Sequence, residues 1–246
     1  MDEPDSFTVH KYRVLNKNFW RTLKHSAFYF PSPAQLNDPA DCQIDLVKAF
    51  HIARAGMAAN HSIQREEAFL NLMSEIEKQA LTCGVYSFSA GRIDSDESRL
   101  FWAHYAANHT GACLTFEIPN DFVMKQMIGC DKVDYSTDSL FSALRNVDLS
   151  RSQNFENDIK PIITSYLTTK APEWKYEQEA RIVSDKSGPR YFDRSWLKQI
   201  CFGLRTSVAH RERIRELVKS YPNCNLIEAV HADDDLFRIA LREVEY

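Results

Sequence analysis

The pattern of apolar and polar positions changes period repeatedly along the chain, and each change predicts an element. Residues 7–15 (FTVHKYRVL) are rich in branched and aromatic side chains with partial alternation, which predicts a strand. A short helical turn over 18–23 leads to the aromatic strand 27–30, ended by Pro31 and Pro33. Asn37-Asp38-Pro39 then opens a turn, and Asp41 leads into a helix expected over about 44–59. Phe69, Leu70, Leu72, Met73, Ile76 and Ala80 recur at helical spacing within a covering helix over 63–81. In residues 83–89 (CGVYSFS), alternation puts Tyr86 and Phe88 on one face of a strand and Val85, Ser87 and Ser89 on the other. The polar stretch 90–96 is a loop, placed to serve as a lid or a plain connection. Leu100, Phe101, His104 and Tyr105 predict a helix over 97–108 with Gly111 at its C-cap, followed by a strand over 111–118. A short edge strand over 133–135, a polar loop over 148–158 and a helix over 155–170, kinked or started by Pro161, carry the chain to its second half. There the pattern predicts a turn at 187–189, a strand over 199–204, a basic amphipathic helix over 208–221, and closing strands over 225–230 and 236–244. This order does not suit a βαβ repeat, and no GxGxxG follows a strand. The expected fold is therefore a single α+β domain over 1–246, with a bent or split, mostly antiparallel sheet and flanking helices.

The densest chemistry lies in residues 170–183 (KAPEWKYEQEARIV). Pro172 discourages a helix there, and from Trp174 the residues suit a half-buried strand with Glu177, Glu179 and Arg181 on one face and Tyr176, Ala180 and Ile182 on the other. Two carboxylates so placed repel, so one is expected to have a raised pKa unless Arg181 compensates, as in a tuned acid or base. The competing account is a solvated edge strand whose ion pair is worth little.

Composition narrows the function. The chain has 246 residues and a formal charge of -4, which offers no general attraction to polyphosphate, so nucleic acid is not indicated as a partner by net charge. No Pro/Gly/Ser linker separates two cores. Six scattered cysteines without a CxxC pair, and an acidic start MDEPDS without a secretory signature, predict a cytoplasmic protein. No apolar run approaches the ~20 residues that span a bilayer. His104 and His109 stand about 140° apart on a helix of ~3.6 residues per turn and do not converge on a metal, and residues 231–235 (HADDD) read as a polar turn. No metal is expected.

The chain resembles the bacterial domain-of-unknown-function family 2971. The resemblance rests on Lys11-Tyr12-Arg13, Asn37-Asp38-Pro39, Ser87-Phe88-Ser89, Trp102 through Ala106 with His109 to Gly111, and Lys170 with Trp174 through Arg181. Ala40 departs from the aromatic residue that commonly follows Asn-Asp-Pro in the family. The order of elements is also similar, more distantly, to compact ADP-ribosyltransferases. That resemblance implies an NAD-consuming enzyme, by mono-ADP-ribosyl transfer or NAD glycohydrolysis, with a bacterial toxin or defence effector as its setting and NAD as cosubstrate. It implies Glu179 as the carboxylate under the ribose, where it favours the cation that develops as nicotinamide leaves. Glu177 would orient or deprotonate the acceptor, Tyr105 or Trp102 would stack nicotinamide, and Arg13 would hold the pyrophosphate. Tyr12, Asn37, Ser87 and Arg181 complete the expected cosubstrate site.

Two other readings stand beside it. A non-catalytic module would use the same aromatic and charged cleft to recognise a nucleotide or peptide. A hydrolase would use His104 with Asp38 or Glu179, which needs those groups within hydrogen-bond reach of one substrate.

Overall fold

Ten strands and eight α-helices form among the residues that the computed structural model describes, namely 5–38, 41–55, 63–95, 98–147, 154–235 and 238–244. The strands are β1 (Ser6–Arg13), β2 (Ala27–Phe30), β3 (Gly84–Ser89), β4 (Ala112–Pro119), β5 (Gly129–Lys132), β6 (Glu179–Ser184), β7 (Gly188–Tyr191), β8 (Leu197–Phe202), β9 (Asn225–His231) and β10 (Ile239–Glu243). The helices are α1 (Lys17–His25), α2 (Leu46–Ala53), α3 (Ile63–Thr82), α4 (Ser98–His104), α5 (Asn120–Gln126), α6 (Asp138–Arg145), α7 (Lys160–Thr168) and α8 (Val208–Val218). None is long and apolar enough to cross a membrane, among the described residues. Ala40, the far end of the helix expected over 44–59 and the 148–153 part of the polar loop lie outside the described residues.

The fold is α+β, with eight strands in one sheet in the order β10-β9-β8-β4-β1-β3-β6-β5 and a small second sheet of β2 with β7. All pairings in the large sheet are antiparallel except β8 with β9, which are parallel and joined through α8. A parallel pair needs such a crossover. The feature that shapes the molecule is the seam between β1 and β3. β1 pairs with β4 along its whole length, from Ser6 opposite Pro119 to Arg13 opposite Ala112, yet it meets β3 only at His10 opposite Ser89. The sheet is split there.

One face of the large sheet packs on a single aromatic-rich core. Phe28 stands at its centre, stacked on Phe192 at 4.4 Å between ring centroids and touching Tyr86 at 4.8 Å and Phe116 at 5.0 Å. The opposite face carries two apolar clusters. One joins α2, α3, α6 and α7 to Val85 and Val183, with Phe69, Met73, Ile76 and Ala80 supplying the buried stripe of α3. The other packs Phe101, Trp102 and Ala106 on Tyr12, Cys113 and Cys201. Ser87 and Ser89 share a face with Val85, and Glu179 and Arg181 share a face with Val183, because side chains alternate along a strand.

Local signals explain several boundaries. The Asn16 side chain caps α1 by accepting from the Asn18 and Phe19 amides, and Asp45 caps α2 by accepting from the Lys48 amide. Asp41 is not that cap and is left for other work. α7 begins at Lys160 with Pro161 in its first turn, where a missing N–H costs nothing. α4 stops at His104, earlier than its apolar spacing predicts, because Ala107, Asn108 and His109 all adopt left-handed backbone with φ of 49°, 53° and 69°. Gly111 is required by close approach: a Cβ there would lie 2.2 Å from the Arg13 carbonyl oxygen. The edge strand expected at 133–135 forms instead as β5, just before it.

Candidate functional site

β6 is an internal strand, paired on one side with β3 and on the other with β5. The stretch before it is not a strand: residues Pro172–Glu177 form a 3₁₀ turn, and Gln178, with φ 41°, joins that turn to β6. Only Glu179 and Arg181 therefore belong to the strand face. Glu177 reaches the same region from the turn. Every residue of β6 is buried, so the solvated edge strand does not describe it.

These side chains belong to a buried ionic cluster. Lys170 Nζ lies 2.6 Å from Glu177 Oε2, 2.9 Å from Glu179 Oε2 and 3.7 Å from Asp41 Oδ2. Arg181, 1% exposed, donates from Nε to Glu179 Oε1 at 2.7 Å and grips Asp41 through both terminal nitrogens at 2.9 and 2.6 Å. It also donates to the Leu167 carbonyl at 2.7 Å, which ties α7 to the sheet. Three carboxylates share two cations, so full ionisation would leave one negative charge buried. Their pKa values part accordingly. Burial opposes charge on Glu179, but the Arg181 guanidinium, its hydrogen bond and the Lys170 ammonium outweigh it and hold the carboxyl down at about 2. On Glu177 burial wins: its pKa is raised, against the hydrogen bonds from Lys170 and Tyr105. Arg181 and Lys170 thus hold one carboxyl of the pair down while burial raises the other.

The Tyr105 hydroxyl donates to Glu177 Oε1. Tyr105→Phe removes that donor, so the Glu177 carboxyl is expected to titrate higher still. Isotope-edited infrared titration of that carboxyl reads the shift, and an unmoved midpoint would show that the hydroxyl does not stabilise the anion.

Where β1 and β3 part, a cleft opens, enclosing about 770 Å³ including its mouth. Its lining brings together Tyr12, Arg13, Asn37, Ser87, Tyr105, Glu177 and Glu179, residues drawn from most of the chain. Three candidates stand elsewhere. His104 is exposed at the end of α4 and is not among the lining residues, whereas Glu179 is. Trp102 is wholly buried, edge-on to Tyr12 at 5.1 Å and stacked near His109, so its ring has no face for a ligand. Arg181 lies behind Glu179 with its donors engaged by protein acceptors, which makes it a support for the carboxylates and not a ligand contact. Tyr12 does reach the cleft, but its ring is mostly buried on Phe101 at 5.0 Å.

Sequence reasoning gave Asp41, Lys170, Lys11 and Tyr135 no role in the site. Tyr135 accepts from the Glu179 amide at 2.8 Å, and so anchors the first residue of β6. Lys170 had a legible signal: a cation ahead of Pro172, where the chain turns back on itself, stands close to carboxylates that follow the turn.

No curated protein matches this chain. A solved structure titled "Thermus sp. 2.9 DarT in complex with ADP-ribosylated ssDNA" aligns over 91% of this chain and 93% of that one, at 12% identity and a TM-score of 0.36. A likeness that slight carries no functional weight. Residues 101–182 match the model of the family described as "Protein of unknown function (DUF2971)", the family that the ordered motifs resemble.

Proposed function

We propose that the protein is an NAD-consuming ADP-ribosyltransferase-like enzyme, passing ADP-ribose to an acceptor or to water, as a toxin or defence effector would. The observation that carries this reading is Glu179, paired with Arg181 and Lys170 on the wall of a cleft formed where the sheet splits, a pairing that favours its ionised form. Breaking the bond between nicotinamide and ribose leaves the electron pair on nicotinamide and positive charge on the sugar. A fixed anion beside that carbon stabilises the transition state more than the ground state. Glu177 has the complementary property: a raised pKa suits a group that takes the acceptor's proton. Tyr105 offers its ring for nicotinamide, in place of the buried Trp102, and Arg13 on β1 faces the cleft as a partner for pyrophosphate.

A recognition module has one observation in its favour, that both Glu179 oxygens are already engaged by Arg181 and Lys170. One experiment separates the two. Purified protein given NAD, alone and with cell extract as a source of acceptor, is expected to release nicotinamide, measured by chromatography. Binding of NAD by calorimetry without any release in either condition would select the module, and absence of both would end the NAD reading.

A further inference from the structure

The cleft has a second charged wall. Lys11 and Arg13 stand two residues apart on β1, on one side of the strand by alternation, and both line the opening. Neither has a carboxylate within 4.0 Å among the described residues, in contrast to Lys170 and Arg181 across the cleft. Lys11 Nζ instead crosses the seam to the Ser87 carbonyl, an oxygen that faces the gap where β1 has left β3. The ammonium also sits over the Tyr86 ring, 4.8 Å from its centroid. An amine in this position is half-buried, beside a guanidinium, and held by a neutral acceptor and a ring.

We infer that Lys11 and Arg13 form a subsite for a pyrophosphate diester, and that binding of this anion draws a proton from solvent onto the Lys11 amine. The inference rests on the NAD reading for the identity of the ligand and goes beyond it in coupling binding to protonation. The groups facing Lys11 are Arg13 on its own strand, Tyr86 on β3, Glu177 in the turn before β6, and Glu179 and Arg181 on β6. Burial and the Arg13 charge push Lys11 down, Glu179 and Glu177 pull it up, Arg181 adds to the fall, and the amine ends at about 7. Above that pH the free amine is mostly neutral. A bound phosphate supplies the missing counter-charge, raises the pKa in the complex, and so must take up a proton. The proton comes from buffer, no covalent bond changes, and the Ser87 carbonyl remains available to the charged amine.

Calorimetry with ADP-ribose tests this, because its bridging phosphates keep their charge across the neutral range. Titrations in two buffers of different ionisation enthalpy, at several pH values on either side of about 7, read proton uptake directly. Uptake should approach one proton above the Lys11 value, with affinity falling about tenfold per pH unit there. Adenosine, which lacks the phosphates, should show neither effect. Lys11→Arg keeps a permanent charge and should bind ADP-ribose with a flat pH profile and no uptake. Wild-type affinity that is flat with pH, absence of ADP-ribose binding, or a Lys11→Arg profile that still follows wild type would each overturn the inference. Nicotinamide release with flat ADP-ribose affinity would sink this inference and leave the enzyme reading standing. Proton-linked binding without release would do the reverse.

Discussion

Glu179→Gln is expected to lower nicotinamide release by at least about a hundredfold while the protein stays folded. Gln keeps the volume and one acceptor oxygen but removes the charge. The loss of a preorganised group of this kind is worth roughly 3 to 4 kcal/mol in the transition state, and each 1.36 kcal/mol is about tenfold in rate. The fold should tolerate the change because the cluster holds more carboxylates than cations: Arg181 keeps both of its bonds to Asp41, and Lys170 keeps Glu177. Glu179 is also among the causes that raise Glu177, so Glu177 should titrate lower in the variant. Single-turnover measurement of nicotinamide, with circular dichroism to confirm the fold, decides it. A variant that folds and retains more than about a tenth of the wild-type rate would rule out the electrostatic role assigned to Glu179.

Arg181→Leu is expected to cost about 3 to 5 kcal/mol of stability, because it leaves Asp41 and Glu179 buried without their shared cation. For a chain of this size that corresponds to a fall in Tm of roughly 6 to 20 °C. The contrast is with exposed pairs such as Lys78 with Glu75, where an alanine substitution should cost no more than about 1 kcal/mol. The same pairing makes stability depend on acid. The Glu179 pKa is depressed in the folded protein, so its contribution is fully present above the ordinary carboxyl value of 4.5 and is lost as pH falls toward about 2. Arg181→Leu should flatten that acid limb as well as lower the plateau. Urea denaturation across pH measures both. A loss below about 1 kcal/mol at neutral pH would mean that the buried carboxylates find other partners or carry protons at little cost.

The strands and helices with a clean period were legible in the chain itself. Val85 to Phe88 alternate as they do because β3 has a polar and an aromatic face, and the buried stripe of α3 is written in Phe69, Met73, Ile76 and Ala80. The α+β class and the split, mostly antiparallel sheet followed from the order of such elements, and the carboxylate pair was visible as Glu-x-Glu. The short elements α5 and β5 were not legible, since GCDK holds none of the branched or aromatic residues that mark the equally short β2, and α5 offers a single apolar run, Phe122 to Met124, with no helical period. Neither was the parallel pairing of β8 with β9, which depends on where α8 delivers the chain. Within the site, only the three-dimensional arrangement decided which aromatic and which cations face the cleft. Trp102 and Tyr105 lie three positions apart around α4 and its end, yet packing against Tyr12 buries the first while the second reaches Glu177. Lys170 and Asp41 entered the cluster because the 3₁₀ turn folds one back and β6 lies beside the loop that carries the other. Local propensity and period determine which segments fold into what. Long-range contact determines which charges share a low-dielectric space, and hence which carboxylate is held ionised and which has its pKa raised.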